Sequence, residues 1–254
     1  MLCRLKHALL TDNVNLKYQP VYSTFSQKIV GFEALLRWHD PHLGRICPEK
    51  LVKLASSNGL MDTVSVYVIK KAIAQMADVM KHHHLFLSLN VDPGDLIADS
   101  FKKILLLELA RHQLSPSSVL LEITEVPCHQ PDALTSNAML LAQRGFKIAL
   151  DDFGKGCSDF DRLLALPVSD VKIDRALTHA LFTRDASQQQ VLGMCSRLYQ
   201  LPYRLIFEGV ETEEQFAFLS AHFPHALAQG WYFSKAVSIE DVHRLMFRQI
   251  CMES

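Results

Sequence analysis

The chain has 254 residues, of which 49% are hydrophobic and 21% charged, so it is long enough for one large domain with a substantial core. With 26 basic and 27 acidic side chains, its net charge of −1 argues against the broad basic surface of a protein that binds DNA or RNA polymers. Any phosphate recognition must therefore come from a few local residues.

The cysteine and hydropathy patterns indicate the cellular compartment in which the protein folds. Six scattered cysteines form no CxxC pair, which argues against a zinc module and favours a reducing cytoplasm over a secreted disulfide scaffold. The first residues lack the apolar core of a signal peptide, and no apolar segment reaches the ~20 residues that span a bilayer. We therefore expect a cytoplasmic protein without membrane contact.

Two strands at the start of the chain, 16–22 and 29–38, are predicted to pair as a hairpin. Side chains of a strand alternate between faces, so Glu33 and Arg37 share one face, about 13 Å apart at ~3.3 Å per residue. That span would let the carboxylate hold a metal while the guanidinium holds a phosphate. A cross-strand ion pair is the alternative.

Beyond the hairpin, predicted helices alternate with short apolar strands that end in polar side chains. The strands are expected at 85–89, 119–124, 147–152, 169–173, 204–207 and 226–230. The helices are expected at 48–59, 62–81, 95–112, 131–143, 175–182 and 186–200, followed by one with a capping box of Thr212 and Gln215 and one opened by Ser238 and Asp241. The histidines of His82-His83-His84 are expected at the surface. About eight alternating strands predict an α/β fold, a TIM-type (β/α)8 barrel over residues 15–254 after an N-terminal extension, 1–14, with function at the C-terminal ends of the strands.

The segment 147–154 delivers two adjacent carboxylates, Asp151 and Asp152, to the end of an apolar strand. At roughly 4 Å and an effective dielectric near 20, their repulsion costs about 4 kcal/mol, which a cation between them would relieve. The alternatives are a helix cap and an Asx turn.

Other polar residues interrupt or end strands in the same manner, and the barrel would gather them in one mouth. The set is Glu33, Asn90, Glu122, Asp151, Asp152, Lys172 and Glu208. Hard oxygen ligands favour Mg²⁺ or Mn²⁺ over zinc, and adjacent aspartates suggest a two-metal centre for phosphoryl transfer. Lys172 would orient the nucleophile or neutralise developing charge; a salt bridge to Asp170 or Asp174 is its alternative.

The residues Gly31-Phe32-Glu33-Ala34-Leu35-Leu36-Arg37-Trp38 resemble the signature of the EAL domain, the bacterial cyclic-di-GMP phosphodiesterase. The resemblance covers about residues 15–245 and is specific because its segments occur in order. They include Tyr18-Gln19-Pro20, Leu89-Asn90-Val91, Glu122-Ile123-Thr124-Glu125, Ala149-Leu150-Asp151-Asp152-Phe153-Gly154, Val171-Lys172-Ile173-Asp174, Glu208-Gly209-Val210-Glu211-Thr212 and Gln229-Gly230.

The resemblance implies a barrel whose first strand runs antiparallel to the rest, and a two-metal hydrolase that converts cyclic-di-GMP to linear pGpG. One metal would be held by Glu33, Asn90, Glu122 and Asp151, and the second by Asp151, Asp152 and Glu208. Lys172 would contact the attacking water, Glu211 would support that water, and Glu125 would anchor the loop after Asp152. Substrate contacts would come from Gln19, Leu36, Arg37 and Gln229. A homodimer is expected, and Ca²⁺ is expected to inhibit because it tolerates looser coordination.

The chain departs from the family pattern in two places. After Phe153-Gly154 it reads Lys155-Gly156-Cys157-Ser158-Asp159, where Thr-Gly-Tyr-Ser-Ser is common in the family. We expect this difference to affect the order of the loop, the geometry of the dimer and the turnover rate. Asn90 is followed by Val91-Asp92-Pro93 rather than Leu-Ser. Two other functions remain open: a cyclic-di-GMP receptor without turnover, and a protein-interaction module that binds no nucleotide.

Overall fold

A computed structural model describes residues 1–123, 130–154, 159–183 and 186–251. Within these residues the backbone forms nine strands, most of them short and apolar. They are β1 (Val14–Ser23), β2 (Ile29–Asp40), β3 (Gly44–Ile46), β4 (Phe86–Val91), β5 (Val119–Ile123), β6 (Lys147–Phe153), β7 (Asp170–Ile173), β8 (Arg204–Phe207) and β9 (Leu227–Ala228).

Eight of these strands close into a barrel. The order β1-β9-β8-β7-β6-β5-β4-β2 is completed by pairing of β1 with β2, and β3 extends β2 outside the barrel. Strand β1 runs antiparallel to both of its neighbours, whereas the other barrel strands are parallel to one another. The expected TIM-type barrel with an antiparallel first strand is therefore confirmed.

Helices follow most of the parallel strands, because a parallel pair of strands needs a crossover of a dozen or more residues. They are α1 (Leu2–Leu10), α2 (Pro48–Ser56), α3 (Met61–His83), α4 (Pro93–Ile97), α5 (Asp99–Arg111), α6 (Pro131–Gln143), α7 (Asp159–Ala165), α8 (Arg175–Ala180), α9 (Ala186–Tyr199), α10 (Glu213–His222) and α11 (Ile239–Cys251). The capping box at the start of α10 forms as expected from Thr212 and Gln215. In the part of the chain that the structure describes, every helix is too short or too polar to span a bilayer.

The barrel interior is closed by a layer of apolar side chains that point inward from different strands. It consists of Val21, Phe86, Leu120, Ala149, Ile206 and Leu227. Phe86 fits there because its neighbour on β2 is Gly31, where a Cβ atom would lie 2.5 Å from the phenyl ring. This layer separates the two ends of the barrel.

The structure differs from the predicted elements in four places. The N-terminal segment contains a helix that was not predicted: α1 buries Leu5, Ala8 and Leu9 in a cluster that also contains Val14 and Trp38. A second helix that was not predicted is α7. The helix expected over 95–112 is two helices, α4 and α5, with Ala98 extended between them. The short strand β3 was not predicted.

Candidate active site and metal centre

The polar residues at the strand ends lie together in the C-terminal mouth of the barrel. Side chains of a strand alternate between its two faces. If a residue near the start of a strand points into the barrel, the residues two and four positions later therefore point inward as well. Register sets their heights, because Gln19 lies opposite Glu33 on β1 and β2, and Asn90 lies opposite Glu122 on β4 and β5. The residues that the structure brings together are Glu33, Asn90, Glu122, Asp151, Asp152, Lys172, Glu208 and Gln229.

Lys172 lies at the centre of this group and is 1% exposed. Its Nζ atom is 2.8 Å from Glu208 Oε1, 2.9 Å from Glu122 Oε2, 2.9 Å from Asp151 Oδ1 and 3.8 Å from Glu33 Oε1. The alternative pairing with Asp170 is not seen, because Asp170 binds Arg204 at 2.6 Å. The lysine is thus the counterion of four carboxylates, three on different strands and Glu208 directly after β8.

Neutral side chains fix the carboxylates in place. Glu33 accepts hydrogen bonds from the amide nitrogens of Asn90 at 2.8 Å and Gln229 at 2.6 Å. Glu122 accepts a hydrogen bond from the hydroxyl of Ser88, which stands two residues before Asn90 on β4. These bonds hold Glu33 in the site, and the ion-pair partner that the described residues give it is Lys172, 3.8 Å away, rather than a cation on a neighbouring strand.

The backbone of β6 is irregular where it carries the two aspartates. Consecutive residues of a regular strand point to opposite faces, so a single site cannot normally use both. Here the register with β7 shifts between Leu150 and Phe153, and Asp152 has a φ of 59°, a left-handed conformation that is uncommon outside glycine. As a result, one oxygen from each of Asp151, Asp152 and Glu208 lies within 4.8 Å of the others. Both aspartates belong to β6, so neither caps a helix.

Burial and like charge dominate the protonation of this group. Burial raises the pKa of Glu122 well above its ordinary value, helped by Glu33 and Asp151 and opposed by Lys172. Burial, again opposed by Lys172, raises the pKa of Glu208 to about 7. Burial alone would lower the pKa of Lys172, but the surrounding carboxylates, led by Glu122 and Glu208, raise that pKa well above its ordinary value.

The donor set fits a hard divalent cation. Carboxylate and amide oxygens suit Mg²⁺ or Mn²⁺, and neither cysteine nor histidine takes part in the Asp151–Asp152–Glu208 cluster. Oδ1 of Asp151 is a buried oxygen without a hydrogen-bond partner among the described residues, although the Lys172 ammonium lies 2.9 Å away. A buried carboxylate oxygen with spare acceptor capacity is what a cation requires.

A cavity of about 220 Å³ opens beside the acids, and two of the four expected substrate residues, Gln19 and Gln229, line it. Its lining includes Gln19, Gln229 and Glu211, together with Leu35. Leu35, rather than Leu36, faces this cavity, because Leu36 packs on the opposite face of β2 against the hydrophobic core.

The remaining sequence-derived site residues either do not line this cavity or lie outside the described residues. Arg37 is half-buried and donates a hydrogen bond to the carbonyl of Leu36 at 2.8 Å. Burial and the nearby charge of Arg45 lower its pKa. Glu125, Lys155 and Cys157 lie outside the described residues, as does the side chain of Asp159.

Three residues of the site were missed by sequence reasoning. Arg175 donates a hydrogen bond to Glu211 at 2.6 Å, and its guanidinium lies 5.6 Å from the ring centroid of Trp231. Both line the cavity, and Ser88 supports Glu122 from below. The signal for Ser88 was its position two residues before Asn90, and the signal for Trp231 was its place directly after Gln229-Gly230.

Comparison with known proteins agrees with this geometry. The model of the EAL domain family matches residues 2–236. The chain is 30% identical over 242 residues to the probable cyclic di-GMP phosphodiesterase PdeB of Escherichia coli K12, and 32% identical over 248 residues to the cyclic di-GMP phosphodiesterase PA2567 of Pseudomonas aeruginosa. In each case 95% of this chain is aligned, but only 46% and 42% of the relatives, so the chain spans less than half their length.

Among solved structures, the chain resembles the PaMucR phosphodiesterase in complex with c-di-GMP. The TM-score is 0.84 at 30% identity, with 95% of this chain and 98% of that chain covered. A family model that matches nearly the whole sequence, and a full-length structural match at this identity, lead to one conclusion. The chain belongs to the EAL domain family.

Proposed function

We propose that this chain hydrolyses one phosphodiester bond of cyclic di-GMP, giving linear pGpG and lowering the level of the second messenger. The observation that carries the proposal is the buried lysine held between four carboxylates, beside the cluster of Asp151, Asp152 and Glu208. Two relatives of about 30% identity are named cyclic di-GMP phosphodiesterases, and the PaMucR phosphodiesterase was solved with c-di-GMP.

The cofactors of the proposed reaction are two divalent ions, Mg²⁺ or Mn²⁺. Glu33, Asn90, Glu122 and Asp151 would hold one, and Asp151 would share the second with Asp152 and Glu208. When bound, such ions polarise the phosphate and lower the pKa of water. The acids would otherwise repel each other at a cost that approaches the ~5–15 kcal/mol stability of a whole domain.

The side chains of the chain itself supply charge, orientation and substrate contacts. Lys172 fixes a positive charge where negative charge develops on the phosphate oxygens, and its donors orient the attacking water. The water gives up a proton as its oxygen bonds to phosphorus, the phosphorus–oxygen bond to one ribose breaks, and the released ribose oxygen takes up a proton. Gln19, Arg37 and Gln229 bind the substrate, and Glu211, held by Arg175, supports the water from the cavity wall.

Two properties stay predictions beside this activity. The homodimer follows from the family resemblance, and the cytoplasmic location follows from the spacing of the cysteines. Size-exclusion chromatography with light scattering measures the first.

The experiment is a hydrolysis assay on the purified protein. Cyclic di-GMP is incubated with Mg²⁺ or Mn²⁺, and the linear product is separated by chromatography. Glu33→Ala should abolish turnover with the fold intact, because it removes a metal ligand and the acceptor of two hydrogen bonds. Glu49→Ala is the matched control, since Glu49 is an exposed acid on α2 and should leave turnover unchanged. Ca²⁺ in place of Mg²⁺ should inhibit.

Each other result argues against the proposal. Binding of cyclic di-GMP without product would identify a receptor, and neither binding nor product would identify a protein-interaction module. Full activity of Glu33→Ala would refute the assignment of the metal ligands.

A further inference from the structure

A second cavity lies at the opposite, N-terminal end of the barrel. It has a volume of about 460 Å³ and is lined by residues at or before the first positions of several strands, among them Val30, Phe86, Lys147 and Arg204. The apolar layer that contains Leu120 and Ile206 separates it from the catalytic mouth. A cavity of this size is in the range of small-molecule sites, which is ≈ 300–1,000 Å³.

The charge of this cavity is positive. Lys81, Lys147 and Arg204 line it, with His84 beside them. The nearby carboxylate of Asp170 is already bound on both oxygens, by Arg204 Nε at 2.6 Å and by the hydroxyl of Ser169 at 2.7 Å. Both oxygens of the carboxylate beside Lys147 and Arg204 are therefore already engaged.

Two of these cations have donors without a partner. Nη2 of Arg204 is buried and makes no hydrogen bond among the described residues, although the guanidinium lies 5.2 Å from the ring centroid of Phe86. Lys147 forms no ion pair or hydrogen bond with a described residue. Burial together with the charge of Arg204 lowers its pKa, and the charge of Asp170 opposes this shift without reversing it. A structural pair of Arg204 and Asp170 accounts for Nε but not for Nη2 or for Lys147. A buried donor without a partner destabilises the fold, and a bound anion would supply the missing acceptor.

The other walls indicate what the anion is attached to. Met80, Leu85 and Leu114 supply apolar surface, and the hydroxyls of Ser115, Ser117 and Ser118 stand on the adjacent turn. The cavity volume of about 460 Å³ is many times the ≈ 30 Å³ that one water molecule takes up in the liquid. An inorganic phosphate ion, which is only a few times larger than water, would leave most of the cavity to solvent. The apolar walls fit an organic body that carries the charged group.

We propose that this cavity binds the phosphate group of a small phosphorylated organic molecule, with Lys147 and Arg204 on the phosphate and the apolar walls around the organic part. The site is independent of the proposed hydrolysis, because the ligand enters from the other end of the barrel.

The test is calorimetric titration with AMP, adenosine and inorganic phosphate, in EDTA so that no divalent ion is present. AMP should bind, and adenosine and phosphate should each bind at least about tenfold more weakly, because each lacks one half of the contacts. Lys147→Gln should weaken AMP binding about tenfold, since it removes one charged donor to the phosphate. Lys103→Gln is the matched control, because Lys103 is exposed on α5 outside the cavity and should bind AMP as the unchanged protein does.

Circular dichroism and thermal melting of each variant separate lost binding from lost fold. Glu33→Ala, at the catalytic mouth, should keep full affinity for AMP. Absence of AMP binding, equal affinity of Lys147→Gln and the unchanged protein, or loss of AMP binding in Glu33→Ala would each overturn the site. Phosphate that binds as tightly as AMP would overturn the role of the apolar walls.

Discussion

At the C-terminal end of the barrel four carboxylates surround one lysine, whereas at the N-terminal end three cationic side chains line a cavity and one of them, Arg204, is paired with Asp170. The same strands supply both sets, because Lys147 and Asp151 share β6, and Arg204 and Glu208 stand at the start and just past the end of β8. Four residues along a strand span about 13 Å, at which opposite charges attract by only about 1 kcal/mol for an effective dielectric near 20. Each end must therefore be neutralised locally, by Lys172 or cations at one end and by Asp170 or an anion at the other.

The largest effect is expected when the acidic end loses its internal counterion. Lys172→Met keeps the length of the side chain but leaves Glu122, Asp151 and Glu208 without their ammonium. Breaking a buried ion pair on one side costs about 3–5 kcal/mol, so the free energy of unfolding should fall by that amount in urea titrations with EDTA. Turnover should be lost as well.

Lys103→Met is the control, because Lys103 is an exposed residue on α5. If Lys172→Met were as stable as this control, the ammonium would not be what balances the acids.

A buried carboxylate outside both clusters shows the cost of burial where no described cation offsets it. Asp95 is 4% exposed and accepts a hydrogen bond from Ser65 at 2.6 Å. Burial, opposed by that bond and helped by the charge of Asp92, raises its pKa from 3.8 to about 6. Because the folded pKa is above the unfolded value, its contribution to stability is fully present below about pH 4 and is lost as the pH rises through about 6.

Asp95→Asn should therefore stabilise the fold at pH 7.5 by about 3 kcal/mol, since one pKa unit is worth about 1.4 kcal/mol, and should give no gain at pH 4. Urea unfolding at the two pH values measures this difference. If Asp95→Asn had a lower free energy of unfolding than the unchanged protein at pH 7.5, ionisation of the buried carboxylate would not destabilise the fold.

The smallest effect is expected at the basic end. Asp170→Asn removes the partner of Arg204, whose side chain is 29% exposed and can be hydrated in part, so the loss of unfolding free energy should be about 2 kcal/mol. Turnover by the folded protein should stay unchanged, because the apolar layer separates the two ends. Asp241→Asn, which breaks an exposed pair with Arg244, should cost no more than about 1 kcal/mol. A large fall in turnover for Asp170→Asn would contradict independent ends.

Much of the catalytic end could be predicted from the sequence because its signals are local. An apolar run that ends in a carboxylate predicts both a strand and an inward acid, and strand alternation placed Glu33 and Glu122 in one mouth. What a strand pattern could not supply was the irregular backbone at Asp152, since a residue in regular β structure would point away from Asp151. The position of Lys172 midway between the acids likewise depends on the closure of the whole barrel.

The missed features depend on contacts between distant segments. Helix α1 is stabilised by burial of Leu5 and Leu9 against Trp38 rather than by a strong local signal. The break at Ala98 carries neither glycine nor proline, although Asp99 and Ser100 are residue types typical of a helix start. Arg204 was predicted only as the first residue of a strand. That its Nε is paired with Asp170 while its buried Nη2 has no described partner depends on how β7 and β8 are placed side by side.

The central claim is that the acids of the C-terminal mouth are a centre for divalent cations, and binding of Mn²⁺ measured by calorimetry and electron paramagnetic resonance tests it most directly. We predict two bound ions per chain in the unchanged protein. Asp151→Asn should lose binding, because Asp151 is shared between both proposed ligand sets. The control variant Asp241→Asn should bind Mn²⁺ as the unchanged protein does. Weak binding that is identical in all three proteins would contradict it.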